Sequence, residues 1–135
     1  MTNRSIEHYN PPIEARTDDL LILSRVVNRF MEVKRVTVRE GRFETDGEHT
    51  LHLQFLAVAY AARYHPELDL GKVGLYGLVH DFIEAYAGDV NSLKATAEDI
   101  ARKALVEKVA LNRLENELGE AWPDFISLIK RYEEL

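Results

Sequence analysis

The sequence predicts an all-α protein, a compact single-domain orthogonal bundle of about five to six helices. Three observations point there. At 135 residues the chain is long enough for a real core and too short for two ordinary domains. Apolar residues recur at helical spacing through most of it. Pro66, Gly88, Gly119 and Pro123 punctuate those periodic runs at their expected ends and starts.

Residues 1–16, with Pro11-Pro12 and many polar groups, are expected to form an irregular arm. Thr17 then caps a first helix. Asp18 and Asp19 suit its positive end, and Leu20, Leu21, Leu23, Val26, Val27 and Phe30 supply a buried stripe. Residues 34–47 form a connection with Gly41 and Gly47, in which the alternation through Val36 and Val38 allows a short hairpin. A second helix runs from about Glu48 to Tyr64 and is ended by Pro66. His49 lies on it beside Leu53, Leu56 and Tyr60, which directs the imidazole inward. The next helix is entered near Asp69 and Gly71 and closes near Gly88, with Leu75, Leu78, Val79, Phe82 and Ile83 spaced for burial on more than one side. Thr96 with Asp99 resembles a capping box that opens a charged helix ending near Gly119. Pro123 suits the first turn of a last helix, whose apolar face is Phe125, Leu128, Ile129 and Tyr132, and Trp122 is expected to pack.

Composition excludes several classes. A net charge of -6 argues against general affinity for nucleic acid, which requires a cationic surface. There is no cysteine, so neither a disulfide framework nor thiolate ligation is available. The first residues lack the apolar core of a signal peptide, and the longest apolar run, Phe55 to Ala62, is too short to span a bilayer. A cytoplasmic protein without membrane partners is the expectation.

The chemistry concentrates in His80-Asp81, followed by Glu84 and Asp89, inside a segment that otherwise reads as buried helix. Buried charges need partners. At about 100° per residue, Glu84 projects one turn beyond His80 and between the directions of His80 and Asp81. Adjacent helix residues diverge too far to enclose a metal by themselves, so a second helix must contribute, and His49 is the obvious supplier. Imidazole and carboxylate together suit a divalent ion such as Mn, Co, Fe, Zn or Mg. Lys34, Arg35, Arg39 and Arg42 make a local basic cluster that can meet a phosphate anion or neutralise Glu44, Asp46 and Glu48. His52 is expected to support the site from behind, while His8 and His65 read as surface residues.

RFETDGEHT (Arg42 to Thr50) followed by LVHDFIEAYAGDV (Leu78 to Val90) resembles the HD-domain metal-dependent phosphohydrolases, and within them the small deoxynucleoside 5'-monophosphatases. The matching features are Glu48-His49-Thr50, then His80-Asp81, then Glu84-Ala85 and Gly88-Asp89, and the likeness extends over about Met31 to Leu135. The resemblance implies that His49, His80 and Asp81 are metal ligands and that Glu84 handles the proton of the attacking water. It makes Asp89 a sugar contact and Arg35 the arginine that holds the substrate phosphate, with Arg39 and Arg42 competing for that role. The implied substrate is a phosphate monoester, a (deoxy)nucleoside 5'-monophosphate, and the implied assembly is a homodimer. In the family a later aspartate completes the metal site, and this sequence ends at Leu135 before an equivalent. Either that ligand is missing or Asp124, Glu133 or Glu134 stands in. The alternatives are an HD-type nucleotide- or metal-binding module without turnover, and a triphosphohydrolase or phosphodiesterase.

Overall fold

The computed structural model describes residues 13–88 and 96–135, with side chains from residue 16 onward. In chain order it contains α1 (Ile13–Met31), β1 (Lys34–Arg39), β2 (Arg42–Thr45), α2 (Asp46–Tyr64), α3 (Leu70–Val79), α4 (Glu84–Ala87), α5 (Ala97–Leu118) and α6 (Pro123–Glu133). The expected helical bundle is what forms, and its one sheet among the described residues is the β1–β2 hairpin. Glu40 and Gly41 close that hairpin with φ of 48° and 81°, the left-handed pair that a two-residue turn requires. The antiparallel register pairs Val38 with Phe43 and Lys34 with Thr45, with an irregularity between Lys34 and Val38. A bulged strand re-aims its side chains, and Arg35 lies in that stretch.

The core joins Val26 and Phe30 of α1, Val79 of α3, Leu114 and Leu118 of α5, and Ile126 and Ile129 of α6 around Phe82 and Ile83. The Phe82 ring meets those of Phe30 and Phe125, each at a centroid distance of 5.2 Å. Burial of side chains of this size contributes roughly 1.5–3 kcal/mol each. Trp122 packs as expected, and its indole Nε1 donates to the Asp19 carbonyl at 3.1 Å. The Thr96–Asp99 capping box opens α5, and Pro123 occupies the first turn of α6.

Three sequence expectations are corrected. The first helix is already formed at Ile13, so residues 13–16 are not an arm and Thr17 is not its cap; a proline just ahead of a helix is well tolerated. Leu20 and Leu21 face outward, and the buried residues of α1 are Val26 and Phe30. The helix expected to run unbroken to Gly88 stops at Val79. Phe82 donates to the carbonyl three residues back, and Glu84, Ala85 and Tyr86 in the first turn of α4 do the same, the tighter winding of 3₁₀-type turns. Leu75 and Leu78, within α3, are exposed rather than buried. On α2, Leu56 and Tyr60, farther along the His49 face, are exposed too.

Candidate metal centre

Thr45 begins the site by beginning α2. Its hydroxyl accepts from the Glu48 N–H at 3.3 Å, while its own N–H donates back to the Glu48 carboxylate at 3.3 Å. The cap fixes the first turn of α2, which carries Asp46 into the interior and His49 toward the end of α3. His80 is the first residue beyond α3 and Asp81 the second. Asp81 and Glu84 are three apart along the 3₁₀ turn, a spacing at which side chains eclipse. The tighter winding replaces the α-helical projection expected for Glu84 and sets its carboxylate beside Asp46 and Asp81.

Three ligand atoms from two elements converge. His80 Nε2 lies 2.8 Å from Asp81 Oδ2 and 3.2 Å from His49 Nε2, and His49 Nε2 lies 3.5 Å from Asp81 Oδ2. Donors bound at about 2.0–2.2 Å around one tetrahedral ion stand about 3.3–3.6 Å apart, a spacing that the 3.2 and 3.5 Å edges match and the 2.8 Å edge undercuts. The outer nitrogens are committed. His80 Nδ1 donates to the Gly77 carbonyl at 2.7 Å, and His49 Nδ1 faces Glu44 Oε1 at 3.2 Å. Where both Nδ1 atoms carry hydrogen, the two Nε2 lone pairs meet at 3.2 Å, an arrangement that a cation or a proton between them satisfies. Imidazole, imidazole and carboxylate therefore fit a divalent ion.

Electrostatics separates the two rings. Burial and the Arg35 cation push the His49 imidazole down. Burial also opposes the charging of His80, but bonds to Asp81 and the Gly77 carbonyl overcome it and raise His80. The same bond from His80, with the surrounding cations, outweighs burial at Asp81 and holds its carboxyl low.

Behind the triangle lies a carboxylate ring centred on Arg35. Its Nη1 is 3.2 Å from Asp46 Oδ1, 3.3 Å from Asp81 Oδ2 and 3.9 Å from Glu84 Oε2, and its Nε is 3.5 Å from Glu44. Asp46 is 0% exposed, and burial pushes its carboxyl up to about 6 against the opposing pull of Arg35. Glu84 also forms part of the wall of a cleft of about 1060 Å³, bounded across from it by Arg25, Asn28, Arg29 and Glu32 of α1.

Other predicted residues are placed differently. Arg42 forks onto Glu48 with two bonds of 2.7 Å, and this pair with the Thr45 contacts holds the Glu48 carboxyl down to about 2; neither joins the triangle. Arg39 pairs with Glu44 at 3.7 Å, so the basic cluster neutralises Glu44, Asp46 and Glu48 in this structure. Asp89 lies outside the described residues. His52 is exposed on α2 and does not support the site as expected, because it faces away from α3, while His65 pairs at the surface with Glu67. His8 falls outside the described residues. Asp124 sits in the first turn of α6. The other end of α6 does approach: the Tyr132 ring stands edge-on to His80 at 6.3 Å, and burial, Glu107 and Asp81 raise the Glu133 carboxyl. Glu44 and Asp46 were read from sequence only as counter-charges. Their proximity to the Glu48-His49 motif was the available signal.

A family model described as "HD domain" matches residues 27–135. No curated protein and no solved structure matches the chain.

Proposed function

The chain belongs to the HD-domain family, and from that premise we propose that it is a divalent-metal-dependent phosphohydrolase acting on the phosphate monoester of (deoxy)nucleoside 5'-monophosphates. The observation that carries this reading is the convergence of His49 Nε2, His80 Nε2 and Asp81 Oδ2 within 3.5 Å of one another, with the Glu84 carboxylate near that of Asp81. His49, His80 and Asp81 would hold the ion. A bound divalent ion supplies a Lewis acid for a phosphoryl oxygen and lowers the pKa of water to near neutrality.

The remaining work falls to side chains. Glu84, facing both the triangle and the cleft, accepts the proton of the attacking water as its oxygen bonds to phosphorus and the ester P–O bond breaks. It then returns the proton to the departing alkoxide. Arg35 places fixed positive charge beside the reacting group, and phosphoryl transfer is catalysed mainly by such positioning and electrostatics. Glu44 and the Gly77 carbonyl keep both imidazoles oriented with Nε2 inward. The cleft beyond Glu84 offers room for a leaving group of nucleoside size. Asp89 is assigned to the sugar by family likeness, and Arg42 to the approach of the anion; a homodimer and a cytoplasmic location belong to the same reading.

The test is incubation with Mn, Co, Zn or Mg and a panel of nucleoside mono- and triphosphates, following inorganic phosphate, triphosphate and nucleoside beside a His80→Ala control. Metal-dependent release of phosphate and nucleoside, lost in the control, is expected. Release of triphosphate would replace the assignment with a triphosphohydrolase, and binding without products would leave a non-catalytic module. Glu84→Gln should lower kcat by about 10²–10⁴ with the affinity for Mn kept within a few-fold. Parental turnover in that variant would remove Glu84 from the mechanism.

A further inference from the structure

Glu84 opens α4, and α4 is a single turn of four residues. A turn that short has almost no stability of its own, because nucleation fixes more backbone than its few bonds recover. The place of the Glu84 carboxylate therefore depends on what holds α4 from outside. Phe82, Ile83 and Ala85 anchor the segment in the core. Glu84 to Gly88 also line the cleft, and there polar and cationic contacts take over.

Arg29 reaches α4 from α1. Its Nε donates to the Ala85 carbonyl at 2.6 Å, and its Cζ lies 4.7 Å from the centre of the Tyr86 ring. The Ala85 carbonyl is among the end carbonyls that a helix stopping at Ala87 cannot serve from within, so a side-chain donor takes the place of a backbone one. Tyr86 carries the tie onward to α5. The Arg113 Cζ lies 3.9 Å from the same ring centre, and the Tyr86 hydroxyl donates to Glu117, which also accepts from Arg113 Nε at 3.2 Å. Guanidinium groups from two different helices thus meet one aromatic ring that attracts both, and Glu117 offsets one of their charges. The two residues that follow Glu84 are thereby fastened to α1 and to α5.

We infer that Arg29 is a positioning residue for the proposed reaction: by fixing the Ala85 carbonyl and, with Arg113, clamping Tyr86, it sets where the Glu84 carboxylate stands relative to Asp81. The inference rests on Glu84 as the proton acceptor. Asp81 precedes the clamp and keeps its own contacts with His80 at 2.8 Å and Arg35 at 3.3 Å, so the metal ligands hold their place when Glu84 shifts. Loss of Arg29 then separates turnover from metal binding.

The experiment compares the parent with Arg29→Met, which keeps an apolar stem without donor or charge, and Arg29→Lys, which keeps a donor and the charge. With Mn²⁺ and a deoxynucleoside 5'-monophosphate, Arg29→Met should lose about 10–100-fold in kcat, the scale of a misplacement of about 1 Å. KM and the Mn²⁺ dissociation constant should each stay within about threefold, and Arg29→Lys should recover most of the rate. A raised KM at parental kcat would make Arg29 a substrate contact, and Mn²⁺ affinity falling in step with kcat would make it general support of the fold; either result overturns the inference. Amide exchange of the metal-free chain gives a readout independent of hydrolysis. The N–H groups of Ala85, Tyr86, Ala87 and Gly88 bond to carbonyls of residues 82–84, and in Arg29→Met they should exchange about tenfold faster while amides around Leu114 in α5 keep their protection. Unchanged exchange at these four positions removes the clamp. A parent that hydrolyses no nucleotide, beside an Arg29→Met variant whose α4 amides alone are loosened, faults the function proposed above and leaves the clamp on Glu84 standing.

Discussion

Replacing Glu44 by alanine removes the carboxylate that His49 Nδ1 faces at 3.2 Å, without touching any of the three converging ligand atoms. Released from that acceptor, the His49 ring can turn or change tautomer, and Nε2 presents a lone pair to the centre for only part of the time. Losing such an outer partner typically costs 10–100-fold in metal affinity, or about 1.4–2.7 kcal/mol. Folding should suffer much less. Glu44 is one of four carboxylates crowding Arg35, which keeps Asp46 at 3.2 Å and Asp81 at 3.3 Å. The stability change should therefore stay within about 1 kcal/mol. The assay is a Mn²⁺ titration at pH 7.5 on the parent, Glu44→Ala and Glu44→Gln, with urea unfolding of each in chelator. The glutamine amide oxygen can still accept from Nδ1–H, so Glu44→Gln should recover most of the lost affinity. A folded Glu44→Ala variant that binds Mn²⁺ within twofold of the parent would refute the idea that this bond sets the His49 tautomer.

Asp46 predicts a pH signature. Its carboxyl is raised to about 6 in the native state, against near 4 when unfolded, so between those values the folded protein holds a proton that the unfolded chain has released. Metal-free stability should therefore fall as pH rises through that window, by about 3 kcal/mol from this group alone. Urea unfolding in chelator at pH 4 and pH 6.5 should show Asp46→Asn lacking that component of the fall; parallel profiles would contradict it. Thr45→Ala breaks the capping box of α2 and should cost about 1 kcal/mol in thermal or urea unfolding. The same variant should weaken Mn²⁺ binding, since the turn it unpins carries Asp46 and His49, and an unchanged affinity would show that the ligands hold that turn without the cap.

The sequence shows the residues whose chemistry is carried in short motifs. His49, His80, Asp81 and Glu84 are conspicuous because ionisable groups interrupt apolar periodicity; the structure gathers His49, His80 and Asp81 in one group and Glu84 with Asp46 and Asp81 in another. The capping box of α5 and the proline start of α6 are equally local and equally legible. What could not be read depends on neighbours distant along the chain. Arg35 faces inward through an irregularity in β1 whose register is set by β2, so residue type alone could not place it among Glu44, Asp46, Asp81 and Glu84. Periodicity carried the third helix through His80, where the backbone instead changes to bonds three residues long. It also assigned Leu56, Tyr60, Leu75 and Leu78 to an interior, although a spacing pattern shows which residues share a face and not whether another element covers it.

The hairpin has an unusual kind of mooring. Val36, Val38 and Phe43 project into solvent, so little oily contact fastens β1 and β2 to the helices. Among the described residues the ties include the Asp46 N–H to Val33 carbonyl bond of 2.8 Å at the base and the ionic contacts of Arg35 and Glu44. A segment held this way should open on its own, well below the free energy of global unfolding. Occupancy of the centre and the looseness of the hairpin are then one equilibrium seen from two ends. An ion that tightens His49 and Asp81 tightens the strands, and amide exchange along residues 36–43 becomes a remote gauge of whether the centre is filled.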